Sequence, residues 1–251
     1  SPSCWRHEMG SWHPECPERI DAINDHLLSS GILPLLDVLD GPRPASEPEI
    51  LRVHSAAHLD YLKKLSPASG YAAIDGDTTM NPHTLQAAFE AAGAGIAAVD
   101  AVMAGTTTTA FCNVRPPGHH AESGRAMGFC FFNNVAVAAA HALEQYGLQR
   151  VAIVDFDVHH GNGTEDILAG DDRVLMVSFF QHPFYPFSGD KDPASNMLNI
   201  PVSAYTKGMD IRELVEMLWI PRLEAFKPEM IFISAGFDAH RDDDMGQLNL
   251  T

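Results

Sequence analysis

Short, unbroken apolar runs alternate with helical patterns along this 251-residue chain. The runs at 110–114, 151–154, 174–177 and 230–233 are rich in Val, Ile, Phe and Met. They are continuous rather than alternating, the pattern of strands covered on both faces. Between them lie helix signals. Residues 18–30 read as a helix with Pro17 at its first turn and Gly31 as its stop. Ser46 with Glu49 forms a capping box for a short helix. Asn81-Pro82 opens an Ala-rich helix over about 83–104 closed by Gly105, and residues 133–146 form another closed by Gly147. Strands alternating with helices predict an α/β fold with a mainly parallel sheet. Each apolar run is followed by a polar loop: RPPGHH, DFDVHHGNG, the segment with Phe184, Tyr185 and Pro186, and SAGFDAHRDDD. Ligands of open α/β sheets bind beyond the carboxyl ends of the strands, so the four loops are expected to form one site.

Length and a hydrophobic content of 45% predict one domain with a sizeable core rather than disorder. The formal charge of −17, from 16 basic and 33 acidic residues, disfavours a nucleic-acid partner, which needs a basic face. It suits long-range steering of a basic ligand such as a lysine-rich peptide or a polyamine, although most of it serves solubility. The four cysteines form no CxxC pair, which argues against a cysteine zinc knuckle and for reduced thiols in a cytoplasm. No apolar run reads as long enough to span a bilayer, so no membrane partner is expected. No internal repeat and no signal peptide are evident, and the chain begins at Ser1 without a Met, so a few residues are expected to precede it.

The chemistry concentrates in VAIVDFDVHHGNGT (151–164). In an extended chain Asp155, Asp157 and His159 share a face. A carboxylate and an imidazole two positions apart on a rigid edge suit a divalent metal, zinc above all. Asp238, after Ala235-Gly236, is the best third ligand; the plainer role for an Asp there is to cap a turn. Two carboxylates and one imidazole leave a coordination position open, as catalytic sites require. His160 should face away from His159 and act as support. His119 and His120 follow the stiff turn Pro116-Pro117-Gly118. Adjacent histidines are common surface features, but beside a zinc site they suit the base and acid of an amide hydrolysis, since zinc lowers the pKa of water to about 7 and polarises a carbonyl.

These residues carry a close resemblance. The chain resembles the zinc-dependent histone deacetylase family, in its class II branch with bacterial deacetylase-like amidohydrolases and acetylpolyamine amidohydrolases. The matching motifs are HPECPERI (13–20), RPPGHHAE (115–122), GFCFFNNVAVAA (128–139), VAIVDFDVHHGNGT (151–164) and SAGFDAH (234–240), in family order across nearly the whole chain. The resemblance implies a single-domain three-layer α/β/α fold of the arginase/deacetylase type over 1–251. It implies one zinc ion held by Asp157, His159 and Asp238, and tandem catalytic histidines His119 and His120. Asp155 matches the carboxylate behind the first histidine and Asn162 the amide behind the second. A carboxylate raises the basicity of its histidine while an amide only orients it, so His120 is expected to be the less basic of the pair. The acyl-lysine tunnel of the family corresponds to Gly128, Phe129 and Tyr185, the last where Phe is usual. Asp77 falls where members contact the substrate backbone. Met245 occupies a gate position at which polyamine-selective members carry Glu, which favours acyl-lysine peptides or small acylated amines. A structural K+ is implied near Asp155, Asp157 and Ser178, with backbone oxygens of His159 and Phe179. Hydroxamate-type inhibitors are expected to bind, and a homo-oligomer is compatible with the family.

One departure stands out. The family carries a catalytic Tyr in a glycine-rich loop after the segment matching Asp238, and the five tyrosines (61, 71, 146, 185 and 205) all lie outside that context. The expectation is a catalytic domain cut near its C-terminus, with the last part of the fold missing. The leading function is removal of acetyl or acyl groups from lysine-like amines. An acetylpolyamine deacetylase or a carboxylesterase on the same site is the alternative within enzymes, and an acyl-lysine-binding module without turnover the alternative outside them. A manganese arginase-type hydrolase ranks last, because two metals would need more bridging carboxylates.

Overall fold

The computed structural model describes residues 2–39 and 41–251. The chain divides into two compact units, Ser1–His141 and Ala142–Thr251.

The first unit holds helices α1 (Pro2–Arg6) and α2 (Glu18–Ser29), a 3-10 turn at Leu33–Leu35, and helices α3 (Glu47–Ile50) and α4 (Ala56–Leu65). A two-residue antiparallel hairpin, β1 (Ala72–Ala73) with β2 (Thr79–Met80), precedes α5 (Thr84–Met103), and α6 (Asn134–Tyr146) begins in this unit. Side-chain caps set several helix starts. The Ser46 N–H donates to Glu49 Oε2 at 2.7 Å, Ser55 Oγ accepts from the His58 N–H, and Asn81 Oδ1 accepts from the His83 N–H. The α5 helix buries Ala87, Ala88, Ala91, Ala92, Ile96 and Val99. Its alanines make it long and apolar enough, by length and composition, to cross a bilayer, which corrects the sequence reading that no such segment exists. Its buried alanine face and the use of its Asp100 by His141 are those of a core helix.

The expected strand at 110–114 does not form. Its backbone joins no ladder among the described residues, and Phe111 is exposed. An apolar, β-prone run becomes a strand only when a neighbour supplies hydrogen bonds.

Arg115, only 1% exposed, ties the unit together. Its Nε and Nη2 donate to the two carboxylate oxygens of Glu15, each at 2.6 Å, and its Nη1 donates to the carbonyls of Cys4 and His7. Burial pushes the Glu15 carboxyl up, but the nearby His7 imidazole and the Arg115 guanidinium outweigh it and hold the group at about 2.

The second unit contains β3 (Val151–Asp155), α7 (Asn162–Leu168), β4 (Val174–Gln181), β5 (Met197–Val202), α8 (Gly208–Leu214), a π-type turn at Val215–Trp219, α9 (Ile220–Phe226) and β6 (Met230–Ser234). Its sheet is wholly parallel, in the order β5-β4-β3-β6. All eight residues of β4 are buried. Leu175, Val177 and Phe179 of that strand pack with Ile211 of α8 and with Trp219, whose ring stacks on Phe179 at 5.7 Å. Burial of such side chains contributes roughly 1.5–3 kcal/mol each. The β5 strand has a less regular burial pattern and no clear sequence signal. The β6 strand departs from expectation: it pairs only with β3 among the described residues, and Ile231 and Ile233 are 52% and 58% exposed. Among the described residues it lies at the edge of the sheet with Ile231 and Ile233 on an open face.

Candidate active site

The carboxyl ends of β3 and β6 are neighbours in the sheet of the second unit, with Asp155 opposite Ser234. The loops leaving them place Asp157, His159 and Asp238 together, with one potential ligand atom from each lying within 4.8 Å of the others. His159 Nδ1 is 3.0 Å from Asp157 Oδ1 and 3.0 Å from Asp238 Oδ2. The route to this geometry is not the extended chain expected from alternation. The strand ends at Asp155, and the chain then turns on its own side chains. Asp155 Oδ1 accepts from the Asp157 N–H at 3.2 Å, and Asp157 Oδ1 accepts from the His159 N–H at 2.8 Å. These are Asx-type turns, in which a short carboxylate replaces a ladder partner.

Asp238 combines both roles open to it. Its Oδ1 accepts from the Val158 N–H at 2.9 Å, as a turn cap would, and its Oδ2 faces His159. Gly236 makes room for the cluster, since a Cβ there would run into the Asp157 carboxylate. Burial pushes the His159 ring down, but the carboxylates of Asp157 and Asp238 outweigh it and raise the group to about 10. Asp238 is raised, first by burial and then by the charge of Asp157. Two half-buried carboxylates converging on one imidazole nitrogen form a donor set that demands a cation, so the residues fit a zinc ion.

Other expected residues lie around this cluster in the same unit. His160 is buried, with Nε2 2.6 Å from Glu165 Oε2. Asn162 opens α7 and is buried. Tyr185 sets its ring edge against His159 at 6.0 Å. The residues of the implied K+ site are adjacent in register, with Asp155 opposite Ser178, and Phe179 follows in the buried strand β4. Met245 is half-buried in a turn where its N–H donates to Asp243 Oδ1.

The first unit places the remaining residues. His119 and His120 are buried, with ring centroids 4.0 Å apart and planes at 45°. Gly128, at φ +54°, lies directly against the His120 ring, where any Cβ would collide. Asn134 Nδ2 donates to the Pro116 carbonyl and Asn133 Nδ2 to that of Ala121, so the loop carrying the histidines is held at both ends. Phe129 and Asp77, far apart in sequence, meet through two residues. Thr78 Oγ1 accepts from the Phe129 N–H at 3.1 Å and donates to Asp77 Oδ1 at 3.0 Å. The His13 ring stands edge-on to Phe129 at 4.5 Å. The Glu15 N–H donates to His13 Nδ1, so His13 Nε2 carries the proton and donates to the Asp77 carbonyl at 2.9 Å.

Sequence reasoning assigned no role to His13, Glu15, His54, His58 or Phe184. His54 and His58 stand four residues apart around the cap of α4, and that spacing was the available signal. Their rings stack at 4.9 Å. His54 Nε2 accepts from the Asn133 N–H, which leaves Nδ1–H to donate to the Glu122 carbonyl, and His58 Nε2–H donates to the Phe131 carbonyl. Burial pushes the His58 ring down and favours its neutral form.

A parallel α/β sheet with a carboxylate–imidazole cluster at the carboxyl ends of its strands defines the class, an α/β domain with a candidate metal centre. Residues 13–251 match the histone deacetylase domain family, and the chain belongs to that family. It is 40% identical over 253 residues to the uncharacterized protein slr0245 of Synechocystis sp., covering 98% of this chain and 82% of that protein. It is 38% identical over 245 residues to a histone deacetylase-like amidohydrolase of Pseudomonas aeruginosa, covering 95% of this chain and 64% of that protein. The crystal structure of the HDA15 HD domain superposes with a TM-score of 0.93 at 34% identity, over all of this chain and 76% of that one. The chain is a deacetylase/amidohydrolase-family domain with an α/β fold.

Proposed function

We propose that this chain is a zinc-dependent amidohydrolase that removes acetyl or other acyl groups from lysine-type amines. The observation that carries the reading is the convergence of Asp157, His159 and Asp238 on a donor set for one divalent ion. Zinc bound there would polarise the scissile amide carbonyl and lower the pKa of the attacking water. The protein's own residues supply the rest. In this reading a neutral His119 or His120 takes the proton of the attacking water, and its neighbour returns one to the leaving amine. By the family resemblance, Asp155 and Asn162 would support the pair, the first with a charge and the second without. By the same resemblance, Gly128, Phe129 and Tyr185 would each contribute to the wall around an apolar acyl-lysine stem, and Asp77, held by His13 and Thr78, would offer a carboxylate for the substrate backbone. A K+ ion at Asp155, Asp157, Ser178 and the backbone of His159 and Phe179 would stiffen the turn after β3.

Net charge favours a basic partner and Met245 favours acyl-lysine over polyamine, because an apolar gate offers no counter-charge to a polycation. The test compares turnover of an acetyl-lysine peptide, acetylspermidine and an aryl acetate by the protein, with and without a zinc chelator. The reading predicts chelator-sensitive activity highest on the peptide. Faster cleavage of acetylspermidine or the ester would move the assignment to a polyamine deacetylase or a carboxylesterase. Hydroxamate and peptide binding without turnover of any substrate would favour an acyl-lysine-binding domain.

A further inference from the structure

We propose that Phe184 is a positioning residue that sets the plane of the His159 imidazole for metal binding, an inference that rests on the zinc reading of the Asp157–His159–Asp238 cluster. The Phe184 ring stacks on His159 with centroids 5.4 Å apart and planes within 19°. The Tyr185 ring stands nearly perpendicular to the same imidazole, with centroids 6.0 Å apart, so His159 meets two aromatic rings at different angles. The contacts on His159 Nδ1 favour one direction for that nitrogen, and the groups packed on the ring faces restrict its tilt. A flat aromatic face supplies that limit, and groups behind a metal ligand that fix ring orientation strongly affect metal affinity.

The loop that carries Phe184 is itself anchored. The His182 N–H donates to the Val202 carbonyl at 2.8 Å, which ties the start of the loop to β5. At its other end Gly189 lies against the ring of His160, so closely that a Cβ would collide. His160 is held by Glu165, whose second oxygen accepts from Asn199 Nδ2 at 2.9 Å, and it packs on Phe180 at 4.6 Å. The two adjacent histidines thus grip one loop from different sides. His160 supports its backbone, and the loop returns Phe184 to the face of His159.

The experiment measures zinc affinity by competition with a chromophoric chelator, alongside the visible spectrum of the cobalt-substituted protein. Wild type is compared with Phe184→Leu, which keeps apolar volume and removes the flat face, with Phe184→Tyr, which keeps it, and with Phe187→Ala, a change at an exposed aromatic of the same loop. The expected result is about tenfold weaker zinc binding and an altered cobalt spectrum for Phe184→Leu. Affinity within about threefold of wild type is expected for Phe184→Tyr and Phe187→Ala, which a loss of general stability would not reproduce. Phe184→Leu binding zinc as tightly as wild type, or Phe184→Tyr losing as much as Phe184→Leu, would overturn the proposal. Wild type failing to bind zinc would instead remove the zinc reading beneath it.

Discussion

His159 Nδ1 stands 3.0 Å from Asp238 Oδ2, across 79 positions of sequence. The pairing of β3 with β6 brings the two loops side by side, and the bond from the Val158 N–H to Asp238 Oδ1 fixes which carboxylate oxygen faces the imidazole. The contact is therefore a consequence of sheet register as much as of side-chain chemistry.

Gly236 is part of that geometry. Replacing it by Ala would drive a methyl group into the Asp157 carboxylate. Gly236→Ala is expected to weaken zinc binding by at least about tenfold, in the range seen when supports of metal ligands are lost. The flanking Ala235 and Phe237 are exposed, so the unfolding midpoint should move little. Chelator competition and a thermal melt on the same sample check both halves of this expectation.

Arg115 carries a different burden. Its guanidinium neutralises a fully buried Glu15 and satisfies two backbone carbonyls. Arg115→Ala leaves the buried carboxylate only the half-exposed Arg19, whose Nη1 donates to Glu15 Oε1 at 3.0 Å, and removal of the buried partner of such a pair costs roughly 3–5 kcal/mol. Urea unfolding should show a loss of that size, with Arg115→Lys intermediate because an ammonium cannot reproduce the forked contact.

The same pair predicts a pH dependence. The Glu15 carboxyl is held at about 2 in the folded state against an ordinary value near 4.5. A folded-state value below the unfolded one means that the unfolded chain binds protons first as pH falls. The stabilisation is complete above about 4.5 and is lost progressively toward 2. Stability measured across this window should fall with acid in the wild type and fall less steeply in Glu15→Gln, whose starting stability is lower.

Much of this arrangement is legible in the sequence, and the failures have physical causes. The buried strands β3 and β4 are continuous apolar runs, and the caps at Ser46 and Asn81 are visible as residue types. The run at 110–114 has the same composition and no ladder, because strand formation depends on a partner that the run itself cannot specify. The alternation that grouped Asp155, Asp157 and His159 reached residues that do come together, but through Asx turns beyond the strand end. The exposure of β6 depends on what neighbours it and is invisible in MIFIS alone. The supports around the site, such as His13 under Asp77 and Phe184 on His159, depend on tertiary contacts between residues with no local pattern.

The proposed division of labour between Asp155 and Asn162 has its own consequence. An amide orients a histidine without stabilising its charged form, whereas a carboxylate does both. Asn162→Asp is expected to make His120 more basic and to move the pH–rate profile for an acetyl-lysine peptide toward higher pH. An unshifted profile with normal activity would contradict the assignment.

The central claim is that Asp157, His159 and Asp238 hold one zinc ion on which amide hydrolysis depends. The most direct measurement is elemental analysis of the purified protein and of Asp157→Ala, each after exchange against trace metal. The account predicts one zinc per chain in the wild type and essentially none in the variant. Full retention of zinc by Asp157→Ala would contradict it.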